Sequence, residues 1–275
     1  MNGIDCATRL NLINVQNLKI AGILAVGRYL GYKQGWAKSL TPDEVRLIQA
    51  AGLAIFLIWE SNPIRKSYFS YAQGAADAKK AVMEAEFLNV PNGTAIYFAV
   101  DYDAQAGDMI TIQDYFTGVK DVLGGQFLTG VYGSYAVMKA IQADKYFQTY
   151  AWSNGQKAPN HIYQYNNNIY LASVFVDQDY VNEDAGLWKR SDNMGLDIAV
   201  LLYTKEDFWA GNDVAVKNGN CALFVRPGDH SVPKAAMSAA TLIVVGGPTT
   251  GHPKEVLLSG NDKYDTAAAV KKYLG

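Results

Sequence analysis

Acidic residues that close apolar runs are the feature of this 275-residue sequence with the most chemical content. Residues 96–103 read I-Y-F-A-V-D-Y-D, a buried strand that emerges into polar surroundings at Asp101 and Asp103. Alternation along a strand sets these two carboxylates on one side and Tyr102 on the other. Taken alone, such a pair reads equally well as caps of a following helix. Other acids occupy equivalent places: Asp5 ends Gly3-Ile4-Asp5, Glu60 follows the apolar run 53–59, and Asp177 closes 173–177, with Asp179 just beyond. Paired carboxyl groups cleave glycosidic bonds, one protonated to assist the leaving oxygen and one ionised as nucleophile or base. Crowded carboxylates raise one another's pKa, which lets one acid keep its proton near neutral pH. A separation of about 5 Å suits direct attack and about 6.5–9.5 Å admits a water. Residues i and i+2 on a strand stand roughly 6.5 Å apart at Cα, which leaves both outcomes open.

Aromatic residues recur at the same segment ends: Tyr29, Trp59, Tyr102, Tyr132, Trp152 and Tyr165. Flat rings suit the apolar faces of sugars while their polar tips bond hydroxyls. Each ring taken singly reads first as core or rim packing; their company with acids is what favours a sugar site. Arg28, directly before Tyr29, reads as a group that orients an acid or holds a substrate carboxylate, or as a structural ion-pair partner.

Other chemistries lack their signatures. His161, His230 and His252 lie far apart without metal-ligand spacing, and no G-x-x-x-x-G-K-[ST] loop occurs, so neither a metal nor a cofactor is expected. A formal net charge of -2 and the lack of any Lys/Arg-rich block argue against nucleic acid. Cys6 and Cys221 are too few for a disulfide framework, and free thiols are expected. No apolar run is long enough for a membrane span, and Met1-Asn2-Gly3-Ile4-Asp5 has no signal-peptide character. The expectation is a soluble protein that stays cytoplasmic or reaches a cell wall by release or non-classical export.

The acids need elements to position them. Strand-like segments at 3–5, 22–29, 53–59, 94–103, 127–132, 147–152, 161–165 and 173–177 alternate with helical or loop segments. Thr41-Pro42-Asp43-Glu44 is a helix start with Gly52 as its stop, and 70–88 and 111–123 are further helices. Eight strands so arranged predict a closed parallel (β/α)8 barrel of the TIM type over residues 1–192, with its active site at the C-terminal strand ends. Asp5 and Asp177, on neighbouring strands one and eight, then face the strand-four pair across the mouth. Residues 196–275 begin a second rhythm, with strands at 198–203, 221–225, 242–245 and 255–258 and a helix at 266–274, a small α/β domain. Gly246-Gly247 within it reads as a turn, since the rest of a phosphate loop is missing.

G-I-D at Gly3 to Asp5, G-R-Y at Gly27 to Tyr29, F-A-V-D-Y-D at Phe98 to Asp103, G-V-Y-G-S-Y at Gly130 to Tyr135, Q-Y at Gln164 and Tyr165, and V-D at Val176 and Asp177 form a set. Together, over about residues 1–190, they resemble the glycoside-hydrolase-like barrel family related to the family 25 lysozymes. The resemblance implies muramidase cleavage of peptidoglycan, with Asp5, Asp101, Asp103 and Asp177 as the acids and Asp103 as proton donor. Family 25 lysozymes carry D-x-E on strand four where this sequence has D-x-D, which makes Glu60 an alternative donor and a non-catalytic glycan-binding protein the rival reading. The expected substrate contacts are Arg28, Tyr29, Trp59, Tyr132, Trp152 and Gln164. In the tail, L-I-V-V-G-G-P at 242–248 and L-S-G-N-D-K-Y-D-T-A-A-A-V at 258–270 resemble one type 2 cell-wall-binding repeat. That implies attachment to an anionic wall polymer of a Gram-positive envelope, as in a phage-type lysin.

Overall fold

The computed structural model describes residues 1–189, 196–219 and 221–275. The chain divides into two compact units, Met1–Arg190 and Ser191–Gly275. Asp192, where the sequence reading ends the barrel, lies outside the described residues.

In the first unit eight strands close a barrel in chain order: β1 (Asn2–Asp5), β2 (Ala25–Tyr29), β3 (Ala54–Trp59), β4 (Ala95–Ala99), β5 (Leu128–Gly133), β6 (Lys145–Thr149), β7 (Ile162–Leu171) and β8 (Val174–Val181). Every residue of β3 and β4 is buried, as parallel strands covered on both faces must be. Helices α1 (Leu12–Ile20), α2 (Pro42–Ala50), α3 (Tyr71–Phe87), α4 (Met109–Leu123) and α5 (Tyr135–Ala140) follow the first five strands. Inside the barrel, Phe56, Tyr97 and Phe147 meet edge to face, and Gly27 leaves the space that Phe56 and Asp5 fill, because a Cβ there would overlap both.

Local signals predict the helix starts well. Thr41 Oγ1 accepts the Glu44 N–H at 3.1 Å, with Pro42 in the first turn, and Ser70 caps α3 by accepting from the Gln73 N–H at 3.1 Å. Glu44 does not turn back to complete a capping box. Its Oε1 instead accepts from Leu10 N–H at 2.9 Å and from Arg28 Nε at 2.7 Å. Helices α3 and α4 touch backbone to backbone at Gly74 and Gly118, where a Cβ would run into Tyr115 O and Tyr71 O respectively. Gly74→Ala is therefore expected to destabilise the barrel by about 1–3 kcal/mol of overpacking, against a helix-propensity gain of about 1 kcal/mol. Urea denaturation measures the balance, and a stabilised variant would show that the crossing can relax.

Two expectations need correction. The barrel is parallel through β7, but β8 runs antiparallel to both β7 and β1. Ala172 and Ser173 join β7 to β8 with φ of 53° and 64°, the positive pair of a two-residue hairpin turn, and so short a link admits only antiparallel strands. Asp177 therefore lies within β8, not at its end, and Asp179 lies deeper in the barrel. Asp5 and Asp177 nevertheless stand opposite each other, because β8 closes the barrel against β1. Strand β4, for its part, ends at Ala99, and the Asp101 N–H donates to Pro63 O at 3.0 Å. Strand alternation does not extend to Asp101 and Asp103.

The second unit holds a parallel sheet in the order β10-β9-β11-β12, formed by β9 (Ile198–Leu202), β10 (Ala222–Val225), β11 (Thr241–Val245) and β12 (Glu255–Leu258), with α6 (Phe208–Lys217), α7 (Lys234–Met237) and α8 (Lys263–Leu274). Asp262 caps α8, its Oδ1 accepting from Tyr264 and Asp265 N–H at 2.8 and 2.9 Å. Both cysteines are free thiols. Among the described residues no helix is long and apolar enough to cross a membrane.

Candidate functional site

Each of the eight strands, or the residues that follow it, contributes to one cavity of about 210 Å³ at the barrel mouth. Its carboxyl groups are Asp5 from β1, Glu60 after β3, Asp101 after β4 and Asp177 from β8. Tyr29, Tyr132, Gln164 and Asn167 supply neutral polar groups, and Ile58 and Phe147 the apolar wall. A second cavity of about 210 Å³ shares Asp5, Tyr29 and Asp177 with the first and is walled by Cys6, Asn168 and Phe175.

Asp5 is 3% exposed. Its Oδ2 accepts from Gln164 Nε2 at 2.8 Å, and Tyr29 OH lies 3.4 Å from Oδ1. Burial, reinforced by the Asp177 charge, pushes the Asp5 carboxyl up to about 8. Asp177 is also raised by burial, but less freely, because the Asn168 N–H donates to its Oδ1 at 2.7 Å. Gln164 Nε2 reaches Asp177 Oδ2 as well, at 3.3 Å. Burial raises Glu60, and Lys38, 3.2 Å away and stacked over the Tyr29 ring, works against that rise. Asp101 is raised chiefly by burial. Asp179 is wholly buried, with no partner for either oxygen among the described residues, and burial followed by Asp5 and Asp177 drives it upward.

These shifts set a pH dependence. Folded Asp5 keeps its proton to about 8, whereas the unfolded chain releases it near 3.8. Between those values the folded state binds more protons, so stability falls as pH rises and levels off above the folded value. The slope is at most about 1.4 kcal/mol per pH unit for this one proton. Asp5→Asn is expected to flatten the fall, as read by thermal midpoints across the window; an identical pH profile would remove Asp5 as its source.

The cavity gathers Asp5, Glu60, Asp101, Asp177, Tyr29, Tyr132 and Gln164, all named from sequence. It does not gather Asp103, Arg28, Trp59 or Trp152. Asp103 is exposed, beyond the point where the chain leaves β4. Arg28 is fully buried and held by Glu44, with Lys38 O accepting from its Nη2 at 3.1 Å. Trp59 is buried against Trp36, with ring centroids 5.0 Å apart, and Trp152 is 41% exposed on a turn with φ of 54°. Tyr165 stacks on Tyr180 at 4.4 Å instead of lining the mouth. Sequence reading missed Asn167, because N-N-N at 166–168 looks like a loop when it is the irregular part of β7.

Residues 16–193 match the model of the Rv2525c-like, glycoside hydrolase-like domain. This span contains Glu60, Asp101 and Asp177, while Asp5 precedes it. Two proteins of Bacillus subtilis (strain 168) are similar in sequence: uncharacterized protein FadG, 36% identical over 137 residues, and uncharacterized protein YbfG, 35% identical over 143. The alignments cover 48% and 47% of this chain but only 24% and 20% of those proteins, so the chain spans about a quarter of the length of these relatives or less. The crystal structure of the Mycobacterium tuberculosis Tat-secreted protein Rv2525c in complex with L-tartrate shares the fold, with a TM-score of 0.58 at 19% identity over 68% of this chain and 98% of that one. The chain belongs to the Rv2525c-like, glycoside hydrolase-like domain family.

Proposed function

We propose that the barrel is a cell-wall glycan hydrolase that cleaves a glycosidic bond of peptidoglycan by acid/base catalysis. The observation that carries this reading is four carboxyl groups around one cavity, in which burial pushes the Asp5 carboxyl upward while Asp177 is held by two N–H donors. Carboxyl groups in such unlike environments divide into an acid and a base or nucleophile. The acid proton passes to the leaving oxygen as the C–O bond breaks with its electron pair. Water adds to the sugar carbon and gives its own proton to a carboxylate, so one new reducing end appears per cleavage. Asp5 replaces the exposed Asp103 as proton donor, with Asp101, Asp177 and Glu60 as base, nucleophile or electrostatic support. The two adjoining cavities leave room for sugar units on both sides of Asp5 and Asp177.

The tail, residues 196–275, is the wall-binding module in this reading, attaching the barrel of residues 1–192 to an anionic polymer of a Gram-positive envelope after phage-type release or non-classical export. Its support is the resemblance of 242–248 and 258–270 to a wall-binding repeat. The exposure of Asp103, where family 25 lysozymes carry glutamate, favours the second reading, a glycan-binding barrel without catalysis. Incubation with purified peptidoglycan separates the two. New reducing ends support hydrolysis; a protein that pellets with the wall and releases none is a binder. Loss of pelleting on removal of residues 196–275 supports the tail's role.

A further inference from the structure

Gln164 is almost wholly buried, and its amide touches polar groups on three strands. Its Oε1 accepts from Tyr132 OH at 3.1 Å, and its Nε2 donates to Asp5 Oδ2 at 2.8 Å and Asp177 Oδ2 at 3.3 Å. The network sets the amide orientation, since a reversed amide would press its oxygen against two carboxyl groups. Tyr132 and Gln164 are both expected from sequence as substrate contacts, yet the bonds they make run to each other and to the acids.

We propose that Tyr132 and Gln164 are positioning residues that place the one proton of the Asp5–Asp177 pair on Oδ1 of Asp5 and leave Asp177 as the anion. This deepens the hydrolase reading and rests on it for its use, though not for its test. Both oxygens of Asp177 already accept, one from Asn168 N–H and one from Gln164, so a proton on either would weaken a bond that favours the ionised form. The same holds for Oδ2 of Asp5. Oδ1 of Asp5 is the remaining oxygen, with only the Tyr29 hydroxyl, at 3.4 Å, as its partner among the described residues, and a hydroxyl accepts as readily as it donates. An acid that has given up this proton is left with Gln164 Nε2 and Tyr29 OH as donors, which steadies the carboxylate.

The ionisable groups around Asp5 are consistent with one held proton on the Asp5–Asp177 pair, separate from the proton that burial holds on Asp179. Tyr29 faces it from β2, Glu60 from beyond β3, Tyr132 from β5, and Asp177 and Asp179 from β8, with Cys6 directly after it in the chain. Asp101 shares the cavity from beyond β4. The nearby cations are engaged elsewhere, Lys38 by Glu60 and Arg28 by Glu44. Burial and the acidic neighbours act on Asp5 together, whereas Asn168 N–H opposes the effect of burial at Asp177.

Titration of the full chain carrying carbon-13 at the aspartate side-chain carboxyls, followed by NMR, tests this without any assay of hydrolysis. A resonance titrating at about 8 is expected to be absent from Asp5→Asn and to persist in Asp177→Asn at a lower midpoint, and Asp179→Asn identifies the signal of the other buried carboxyl, which burial also raises. Gln164→Leu removes a donor from the ionised form and is expected to make Asp5 about tenfold weaker as an acid. Tyr132→Phe, the milder change, moves the midpoint the same way by less and keeps the test available if Gln164→Leu does not fold. Loss of the high-pH resonance from Asp177→Asn instead of Asp5→Asn overturns the proposal, as does an unmoved midpoint in either folded variant. A protein with the expected titration that releases no reducing ends keeps the proton placement and loses only the hydrolase reading.

Discussion

Asp101→Asn is expected to lower the release of reducing ends from peptidoglycan by about 10²–10⁴-fold, while Asp103→Asn stays near wild type. The two substitutions remove the same charge two residues apart, so they separate a group in the cavity from one outside it. Asp101 lines the cavity, partly buried, and its backbone N–H is tied to Pro63 O at 3.0 Å. Asparagine has nearly the same shape but cannot ionise, so it retains the packing and loses the base or nucleophile. The expected fall corresponds to about 3–5 kcal/mol of barrier. Asp103 is exposed, and it is the backbone carbonyl, not the carboxylate, that accepts from Gln105 Nε2 at 2.9 Å. Reducing-end assays on variants with wild-type thermal midpoints decide the matter. Loss of activity in Asp103→Asn alone would restore the lysozyme-like donor that D-x-D implied and remove Asp101 from the chemistry.

The largest stability effect is expected at a pair outside the cavity. Glu44→Ala should cost about 3–5 kcal/mol, because it strands a buried guanidinium. Arg28 is 0% exposed and Glu44 2%, with Nε to Oε1 at 2.7 Å, and the same oxygen also accepts from Leu10 N–H. Arg28 also donates to Cys6 O, directly after Asp5, so it ties the end of β1 to α2. Taking the carboxylate away leaves that charge in the layer between barrel and helix with carbonyls alone for partners. A matched apolar replacement of both residues should recover most of the loss, since the desolvation of both ions goes with them. Urea denaturation of the single and double variants measures both effects. A single-variant loss below about 1 kcal/mol, typical of an exposed pair, would show that Arg28 reaches water.

Much of this was legible from the residues. Apolar runs of strand length, a Thr-Pro helix start at 41–42 and the Gly52 stop are local signals, and they carry the first seven strands and most barrel helices. The adjacency of Asp5 and Asp177 followed from barrel closure alone, and it holds although β8 runs the opposite way. That reversal was hidden because β7 continues through the polar run 166–168, whose lack of apolar alternation reads as a loop.

The residue types, their order and the meeting of acids from strands one, four and eight were therefore determined by sequence. Tertiary structure decided which of the acids and aromatics enter the cavity. Asp101 enters and Asp103 does not because β4 ends at Ala99, and beyond a strand the alternation rule no longer says which way a side chain points. Arg28 and Trp59 stay out because partners distant in sequence, Glu44 and Trp36, claim them in the layer outside the strands. Such choices depend on which groups elsewhere in the chain bury or pair a side chain, and the spacing of neighbouring residues carries no record of them.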